Sequence, residues 1–370
     1  MKRYRTAFVE EIARQLGTDP AEVDGLVKIP EADRGDLTLP CFPFARAQKK
    51  NPAAIAQELA ATFADDPMFE KVEAVGPYVN ATIRGAHAMA TLVPEIRGAK
   101  ERFATGSQGG GRTVVIDFSS PNIAKPLGFH HLRSTMIGNA LARIHEALGY
   151  TVVRINFLGD WGKTFGLLAE AFSRVGDRAR LEQEGIAYLL ALYIEANRLK
   201  ESDPGFDEAA REMFRRQEAG DPGALELWRL FREISLAEFE RIYRRLDVTF
   251  DYFEGESLYR DGMDAVIDEI GRTAGTREDQ GALAVDMPYA EGEPPLMLRK
   301  SDGATLYATR DIAAAWDRWQ RFAFDKSLYV VGGEQKRHFD QLKRALSAMG
   351  CDWQERMVHV SFGRVQGMST

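Results

Sequence analysis

Residues 113–162 read TVVIDFSSPNIAKPLGFHHLRSTMIGNALARIHEALGYTVVRINFLGDWG, and the order of elements in this stretch decides the fold. Residues 113–118 are a short, mostly apolar run rich in β-branched side chains, the composition of a buried strand. Residues 119–128 are rich in Ser, Pro and Asn and predict a loop. From 131 to 148 the spacing of Leu132, Met136, Leu141, Ile144 and Leu148 predicts a helix carrying these residues on one face, and Gly149 supplies its stop. A second strand follows at 151–157, closed by Gly159-Asp160-Trp161-Gly162. Strand, helix and strand in this order predict a parallel sheet with a right-handed crossover.

The loop in this unit runs from a parallel strand into a helix N-terminus. Free backbone N–H groups and the helix dipole both favour an anion there. Ser120 and Asn122 offer donors and acceptors for a small polar ligand, Lys125 offers a mobile cation for phosphate, and His131 falls in the first helical turn, from which its ring can reach back over a nucleotide.

Outward from this unit, 106–111 (GSQGGG) has the composition of a flexible linker and marks a domain boundary. Before it, residues 1–105 read as a small α/β unit. Phe8, Ile12 and Leu16 mark a helix over 4–16 ended by Gly17, Asp19-Pro20 starts a turn, and Asn51-Pro52 opens a helix striped by Ile55, Leu59 and Phe63. Prolines 30, 40 and 43 punctuate an irregular or extended stretch, and short strands are expected at 72–75 and 78–83 around Gly76-Pro77. After the central unit, 165–250 is helix-rich and charged, the pattern of a helical insertion with solvated faces. Sheet character resumes at 283–286 and 296–299, Ser301-Asp302-Gly303 suits a hairpin turn, and a helix starts near Thr305. A buried strand at 327–331, a helix at 338–349 and a last strand at 358–362 complete the chain.

Composition narrows the class. The 370 residues are 45% hydrophobic and 28% charged, which suits two or three packed domains. No apolar run approaches membrane-spanning length, so no membrane association and a cytoplasmic location are expected. Two cysteines, Cys41 and Cys351, exclude a disulfide framework and a Cys-rich zinc site. The net charge of −7 argues against a purely electrostatic nucleic-acid binder but leaves room for a local basic face.

Several motifs together resemble one family. The stretch SSPNIAKPLGFHHLRSTMIGNALARI (119–144) resembles the SSPN-x-AKP…HLRST-x-x-GNAL signature of class I arginyl-tRNA synthetases, and INFLGDWGKTFG (155–166) resembles their GDWG-x-x-FG element. Gly35 to Pro43 (GDLTLPCFP) is similar to a segment of the family's N-terminal domain. The resemblance implies a class I Rossmann-like parallel sheet with a helical insertion, preceded by a small α/β domain that contacts the tRNA elbow. Its boundaries would be 1–105, a linker at 106–112, a first catalytic half at 113–165, a helical insertion at 166–290 and a second half at 291–370. Internal packing is the expected role of most prolines and aromatics in the N-terminal segment.

By the same resemblance, His131 and Lys125 would be catalytic. Ser120, Pro121, Asn122, His131, Tyr307, Asp311 and Gln335 would surround the substrate arginine, and Lys125, Gly128, His131, Gly333, Gly363, Met368 and Ser369 would meet ATP, with no protein metal site and with Mg²⁺ riding on the phosphates. Tyr307 and Asp311, four apart in YATRD, share a helix face. L-arginine, ATP and tRNA(Arg) are the implied partners, and a monomer is expected. The implied reaction is ATP-dependent formation of arginyl-adenylate and its transfer to the tRNA 3′ end.

Two departures stand out. The class signature is His-x-Gly-His, whereas this chain has Gly128-Phe129-His130-His131. Adjacent helical residues diverge by about 100°, so His130 and His131 are not expected to face the phosphates together. Gly128 is expected to relieve crowding at His130, and the adenine seat should be shifted or ATP affinity reduced. The chain also stops inside a stretch similar to the second signature loop, where Gly367 stands in place of its first lysine, leaving Lys125 as the compensating cation. A truncated form with impaired activity, and little pyrophosphate exchange without tRNA, are the expectations. A tRNA-independent adenylating paralogue and a non-catalytic tRNA-binding fragment are the alternative readings; Asp311 disfavours a synthetase for an apolar amino acid.

Overall fold

A computed structural model describes residues 1–31, 33–260, 262–301 and 306–363, with the side chain of Tyr307 left out. The chain divides into two compact units, Met1–Ala104 and Thr105–Thr370.

The first unit opens with helices α1 (Lys2–Leu16) and α2 (Pro20–Leu26), followed by strand β1 (Leu37–Pro40), the short helix α3 (Ala45–Gln48), α4 (Pro52–Ala61), strands β2 (Phe69–Val75) and β3 (Tyr78–Ile83), and α5 (Gly85–Ala99). Gly17 adopts a left-handed conformation as α1 ends, and Asp19 and Asn51 cap α2 and α4 by accepting backbone N–H bonds at 2.8 Å. The antiparallel sheet runs β1-β3-β2. β1 lies in the stretch that the prolines marked as irregular or extended, and takes the extended form. Pro40 is tolerated because β1 is an edge strand. Phe8, Ile12, Leu37, Leu39, Ile55 and Val79 form the core. Helix α5 was not foreseen: it buries no residue fully, so its pattern carries little signal.

The second unit is a doubly wound sheet. Its elements are β4 (Thr113–Asp117), α6 (Phe129–Ala147), β5 (Thr151–Leu158), α7 (Lys163–Val175), α8 (Arg178–Glu184), α9 (Ile186–Ser202), α10 (Phe206–Glu218), α11 (Pro222–Leu246), β6 (Tyr252–Gly255), α12 (Met263–Thr273), β7 (Thr276–Asp279), β8 (Ala282–Val285), β9 (Met297–Arg299), α13 (Tyr307–Phe322), β10 (Lys326–Gly332), α14 (Lys336–Ala348) and β11 (Met357–Phe362). Five parallel strands run in the order β11-β10-β4-β5-β6. Strand order reverses between β4 and β10, which opens a ligand crevice beyond their C-terminal ends. Side chains alternate along β4: Val114, Ile116 and Phe118 join a core with α6 and α11, while Val115 joins another with α13 and α14.

Several expectations need correction. The stretch at 106–111 is tied down: Gly106, Gly109 and Gly111 donate backbone bonds to the carbonyls of Ala147, Leu148 and Gly149. β6 falls inside the segment taken as insertion and supplies an edge strand of the parallel sheet. Four residues are too few to display a period, and its Glu254 is buried, which obscured it further. Part of the insertion is likewise core: Phe239 and Tyr243 of α11 are buried against the sheet. Helices α7, α9 and α10, with part of α11, build a separate apolar cluster around Phe165, Leu189, Phe206 and Phe231. β7, β8 and β9 form a small antiparallel sheet, of which only the second and third strands were foreseen.

Helix α6 starts at Phe129, two residues before its expected start, and only part of its expected apolar face meets the core, where Leu141 packs beside Ile137 and Ala142. Met136 and Ile144 are 43% and 53% exposed, and the face against the sheet is Ser134, Thr135, Gly138, Asn139 and Ala142. Small residues here allow close approach. A Cβ built on Gly138 would lie 2.2 Å from the Phe118 ring. The turn expected at 301–303 lies mostly outside the described residues, as do Met368 and Ser369. Among the described residues no helix is long and apolar enough to cross a membrane.

The Gly138 contact gives a stability test. Gly138→Ala gains helix propensity worth about 1 kcal/mol but overpacks a buried ring, which costs about 1–3 kcal/mol. A net loss is expected, read as a lower midpoint in thermal or urea unfolding; a stabilised variant would show that the helix can move off the sheet freely.

Candidate active site

The chain leaves β4 through three non-glycine residues in left-handed backbone, Ser119 (φ 73°), Ser120 (φ 48°) and Ala124 (φ 63°). Such residues persist only where surroundings hold them, and the bonds that do so come from several elements. The Ser119 N–H donates to Ser134 Oγ of α6 (3.0 Å), and Ser134 Oγ donates to the Val330 carbonyl of β10 (2.6 Å). Ser119 Oγ meets the Tyr243 hydroxyl of α11 at 2.7 Å, and Asn156 of β5 donates to that hydroxyl at 2.9 Å while its Oδ1 accepts from the Ser120 N–H at 3.2 Å. Pro121 O and Ile123 N bond the backbone of Gly159, and the Ala124 N–H donates to Ser235 Oγ at 2.8 Å.

The GDWG loop is anchored as firmly. Asp160, 1% exposed, accepts from the Ser257 N–H (2.9 Å), Ser257 Oγ (2.8 Å) and Arg232 Nε (3.0 Å). Trp228 Nε1 donates to its carbonyl at 2.7 Å.

At the start of α6, Gly128 is the N-cap residue, and its N–H donates to Nδ1 of His131 at 3.0 Å. This is the return half of a capping box, with an imidazole in the usual place of a carboxylate. The His131 ring also meets His130, with centroids 3.9 Å apart and Nε2 atoms 3.1 Å apart. The expectation that the two rings diverge is therefore incorrect. At the frayed first turn the side chains fold over Gly128, where a Cβ would stand 2.6 Å from His130 Cε1, so Gly128 does relieve crowding. Burial, and then the neighbouring His130, push the His131 pKa down to about 4, so the ring is neutral at physiological pH. Lys125 points elsewhere: its Nζ sits over the Tyr193 ring of α9, 4.0 Å from the centroid.

A cavity of about 130 Å³ opens at the crevice, lined by Asp117, Ser120, Asp311, Arg318, Tyr329 and Gln335 among others. That is the scale of an amino-acid side chain rather than a nucleotide. His338 Nε2 lies 2.6 Å from Asp311 Oδ2 and fixes the carboxylate. Ser120 Oγ donates to Asp117 Oδ1 at 3.0 Å, and Arg318, 1% exposed, pairs with Asp117 Oδ2 at 2.8 Å. Burial pushes the Asp117 carboxyl up against the pull of Arg318 and Ser120. A smaller cavity of about 60 Å³ is lined by Asn122, Gly159, Trp161 and Glu256 among others. Glu256 meets the buried Arg310 at 3.3 Å, and burial raises its pKa to about 7, helped by Asp311 and Asp160 and opposed by Arg310.

The model of "tRNA synthetases class I (R), catalytic domain" matches residues 93–370, and that of "Arginyl tRNA synthetase N terminal domain" matches residues 2–83. The chain belongs to the class I arginyl-tRNA synthetase family. It is 46% identical over 363 residues, 98% of its length, to an arginine–tRNA ligase of Streptococcus pyogenes serotype M18, and spans 64% of that relative. In fold it is similar to the arginyl-tRNA synthetase of Plasmodium falciparum (TM-score 0.74, 23% identity, covering 99% of this chain and 65% of that one). The Thermus thermophilus arginyl-tRNA synthetase is also similar (TM-score 0.67, 21% identity, 98% and 66%).

Against this family frame, the larger cavity brings together Ser120, Asp311 and Gln335 of the seven expected arginine-pocket residues. Asn122 lines the smaller cavity, whereas Pro121 and His131 line neither. The Tyr307 side chain, Met368 and Ser369 lie outside the described residues. Gly333 follows β10 directly, and the Gly363 carbonyl accepts from Arg133 of α6. Sequence reasoning missed Asp117, Arg318, His338 and Glu256. A signal existed for Asp117, a lone charge in an apolar strand; the other three become notable only once the chain is folded.

Glu256 gives a pH test. In the unfolded chain it ionises near 4.5, but in the fold only near 7, so its contribution to stability falls as pH rises through that window. Glu256→Gln cannot ionise. Arg310 loses its partner in the variant at either pH, so the readout is the change with pH: between pH 5 and pH 8 the parent should lose a few degrees of melting temperature that Glu256→Gln does not; an equal difference at both values would refute the assignment.

Proposed function

We propose that this chain carries the arginine-activating site of an arginine–tRNA ligase, forming arginyl-adenylate from L-arginine and ATP and transferring arginine to the 3′ end of tRNA(Arg). Because the chain spans 64% of the length of its S. pyogenes relative, the whole reaction is part of the proposal. The observation that carries it is the convergence of Ser120, Asp311 and Gln335 on one side-chain-sized cavity at the end of β4 and β10.

Asp311 is the carboxylate that meets the substrate guanidinium, in the bidentate geometry a planar fork favours. His338 holds its rotation, and Gln335 and Ser120 add polar partners. The α-carboxylate of arginine attacks the α-phosphorus of ATP and the bond to pyrophosphate breaks. No covalent enzyme intermediate is needed, so rate comes from positioning and charge stabilisation. The N-terminus of α6 and the His131 Nε2–H face the developing charge, and Lys125 leaves Tyr193 to join them. The backbone at Gly128, Gly333 and Gly363 lets the nucleotide lie close; Met368 and Ser369, also expected to meet ATP, lie outside the described residues.

Among the described residues no group of three His, Cys, Asp or Glu side chains could hold a metal ion. A Mg²⁺ would be carried by triphosphate oxygens and water. In the first unit, Phe42 and Tyr78 are 54% and 41% exposed and meet edge to face at 5.8 Å, whereas Leu37, Leu39 and Cys41 are buried. Internal packing thus accounts for part of the GDLTLPCFP segment, and the exposed rings offer stacking faces for tRNA bases. A cytoplasmic monomer is the setting this reading implies.

Arginine should raise the melting temperature of the chain where lysine does not, and arginine-dependent ATP–pyrophosphate exchange should require tRNA(Arg). Asp311→Asn removes the charged partner of the substrate guanidinium, so arginine affinity should fall about thirtyfold or more, ~2 kcal/mol. Equal stabilisation by arginine and citrulline, or an unchanged affinity in Asp311→Asn, would sink the proposal.

A further inference from the structure

The hydrogen bonds at the start of α6 leave one arrangement of protons. The Gly128 amide can only donate, and it points at His131 Nδ1 over 3.0 Å. That nitrogen therefore carries a lone pair, and the neutral ring keeps its hydrogen on Nε2. His131 Nε2 lies 3.1 Å from His130 Nε2. The bond must run from His131 to His130, which places the hydrogen of His130 on its own Nδ1. The donor hydrogen of His131, the one the proposed chemistry aims at phosphate, is thus already taken by a neighbour. That neighbour stands at an exposed position where the class signature has glycine, and it is accommodated because residue 128 has no side chain: a Cβ there would lie 2.6 Å from His130 Cε1 and 2.9 Å from its Nδ1.

We infer that His130 is a resident acceptor for the His131 Nε2 hydrogen, which an incoming phosphate oxygen must displace, so that His130 sets the nucleotide affinity of the site. The inference rests on the proposed role of His131 toward ATP. A phosphate oxygen is anionic and outcompetes a neutral imidazole nitrogen, so displacement proceeds, but the bond given up subtracts from binding. A neutral hydrogen bond of ordinary net strength corresponds to about threefold to tenfold in affinity. The effect belongs to phosphate-bearing ligands alone, which separates it from steric crowding of the adenine seat.

Two measurements on the full chain test this. Long-range ¹H–¹⁵N spectra without nucleotide should show His131 protonated at Nε2 and His130 at Nδ1, and in His130→Ala the His131 tautomer should persist while its Nε2 resonance shifts. Calorimetry should show ATP binding tightened about threefold to tenfold in His130→Ala and His130→Gly, with adenosine affinity unchanged. His131 protonated at Nδ1, His130 protonated at Nε2, an unaltered ATP affinity, or an equal gain for adenosine would each overturn the inference. Failure of the parent chain to bind ATP at all would count against the proposed function instead, and the tautomers would still decide whether His130 is the acceptor.

Discussion

The close seating of α6 on the ends of β4 and β10 is the contact on which the rest of the site depends. It is made by a hydroxyl as well as by the apolar packing of Ile137, Leu141 and Ala142. Ser134 Oγ accepts from the strained turn after β4 and donates to a carbonyl of β10, so one small side chain spans the point where the strand order reverses. Thr135 extends the link by donating to Ser119 Oγ at 2.8 Å, which meets Tyr243 and so reaches α11. A larger residue at Ser134 or Gly138 would lift the helix and release the backbone that holds Ser120, the N-cap and both histidines.

Along the cavity lining, charge is arranged with equal economy. Arg318 is fully buried with Asp117 on one side and Glu254 4.0 Å away on another, and its guanidinium lies over the rings of Phe157 and Tyr329. Burial works against its charge, but Asp117, Tyr329, Tyr259 and Glu254 outweigh that, and it stays protonated. An arginine built into the protein thus pairs with Asp117, leaving Asp311 as the lining carboxylate that sets the sign of the cavity. Removing either member of a buried pair strands the other, at about 3–5 kcal/mol.

Much of this could be read in the sequence because β4, β5 and β10 are apolar runs with turn residues at their ends, and because the loop after β4 has a distinctive composition. The helix between them was found for a partly wrong reason. Its apolar spacing is real, yet Met136 and Ile144 face outward and the buried stripe is Ser, Thr, Gly, Asn and Ala. Periodicity reports hydrophobicity and cannot see a face chosen for small size and hydrogen bonding. β6 and its buried Glu254 escaped for a related reason, since a buried carboxylate makes sense only beside the arginines that meet it, Arg318 and Arg321. The candidate site was legible where cavity-lining residues cluster in one loop, as with Ser120 and Asn122. It was not legible where the supporting partners are more than a hundred residues away, as with Arg318 beside Asp117, or where two adjacent histidines depart from ideal helical directions.

The small, hydroxylated face of α6 also bears on what the HLRST-x-x-GNAL motif means. Ser134, Thr135, Gly138 and Asn139 lie within it, and in this structure they seat a helix on a sheet rather than line either cavity. A relative could keep that motif whole and be inert, or alter Asp311 and His131 and still fold. The motif identifies an architecture. Whether a given sequence bearing it is a working ligase has to be judged from the handful of side chains at the crevice.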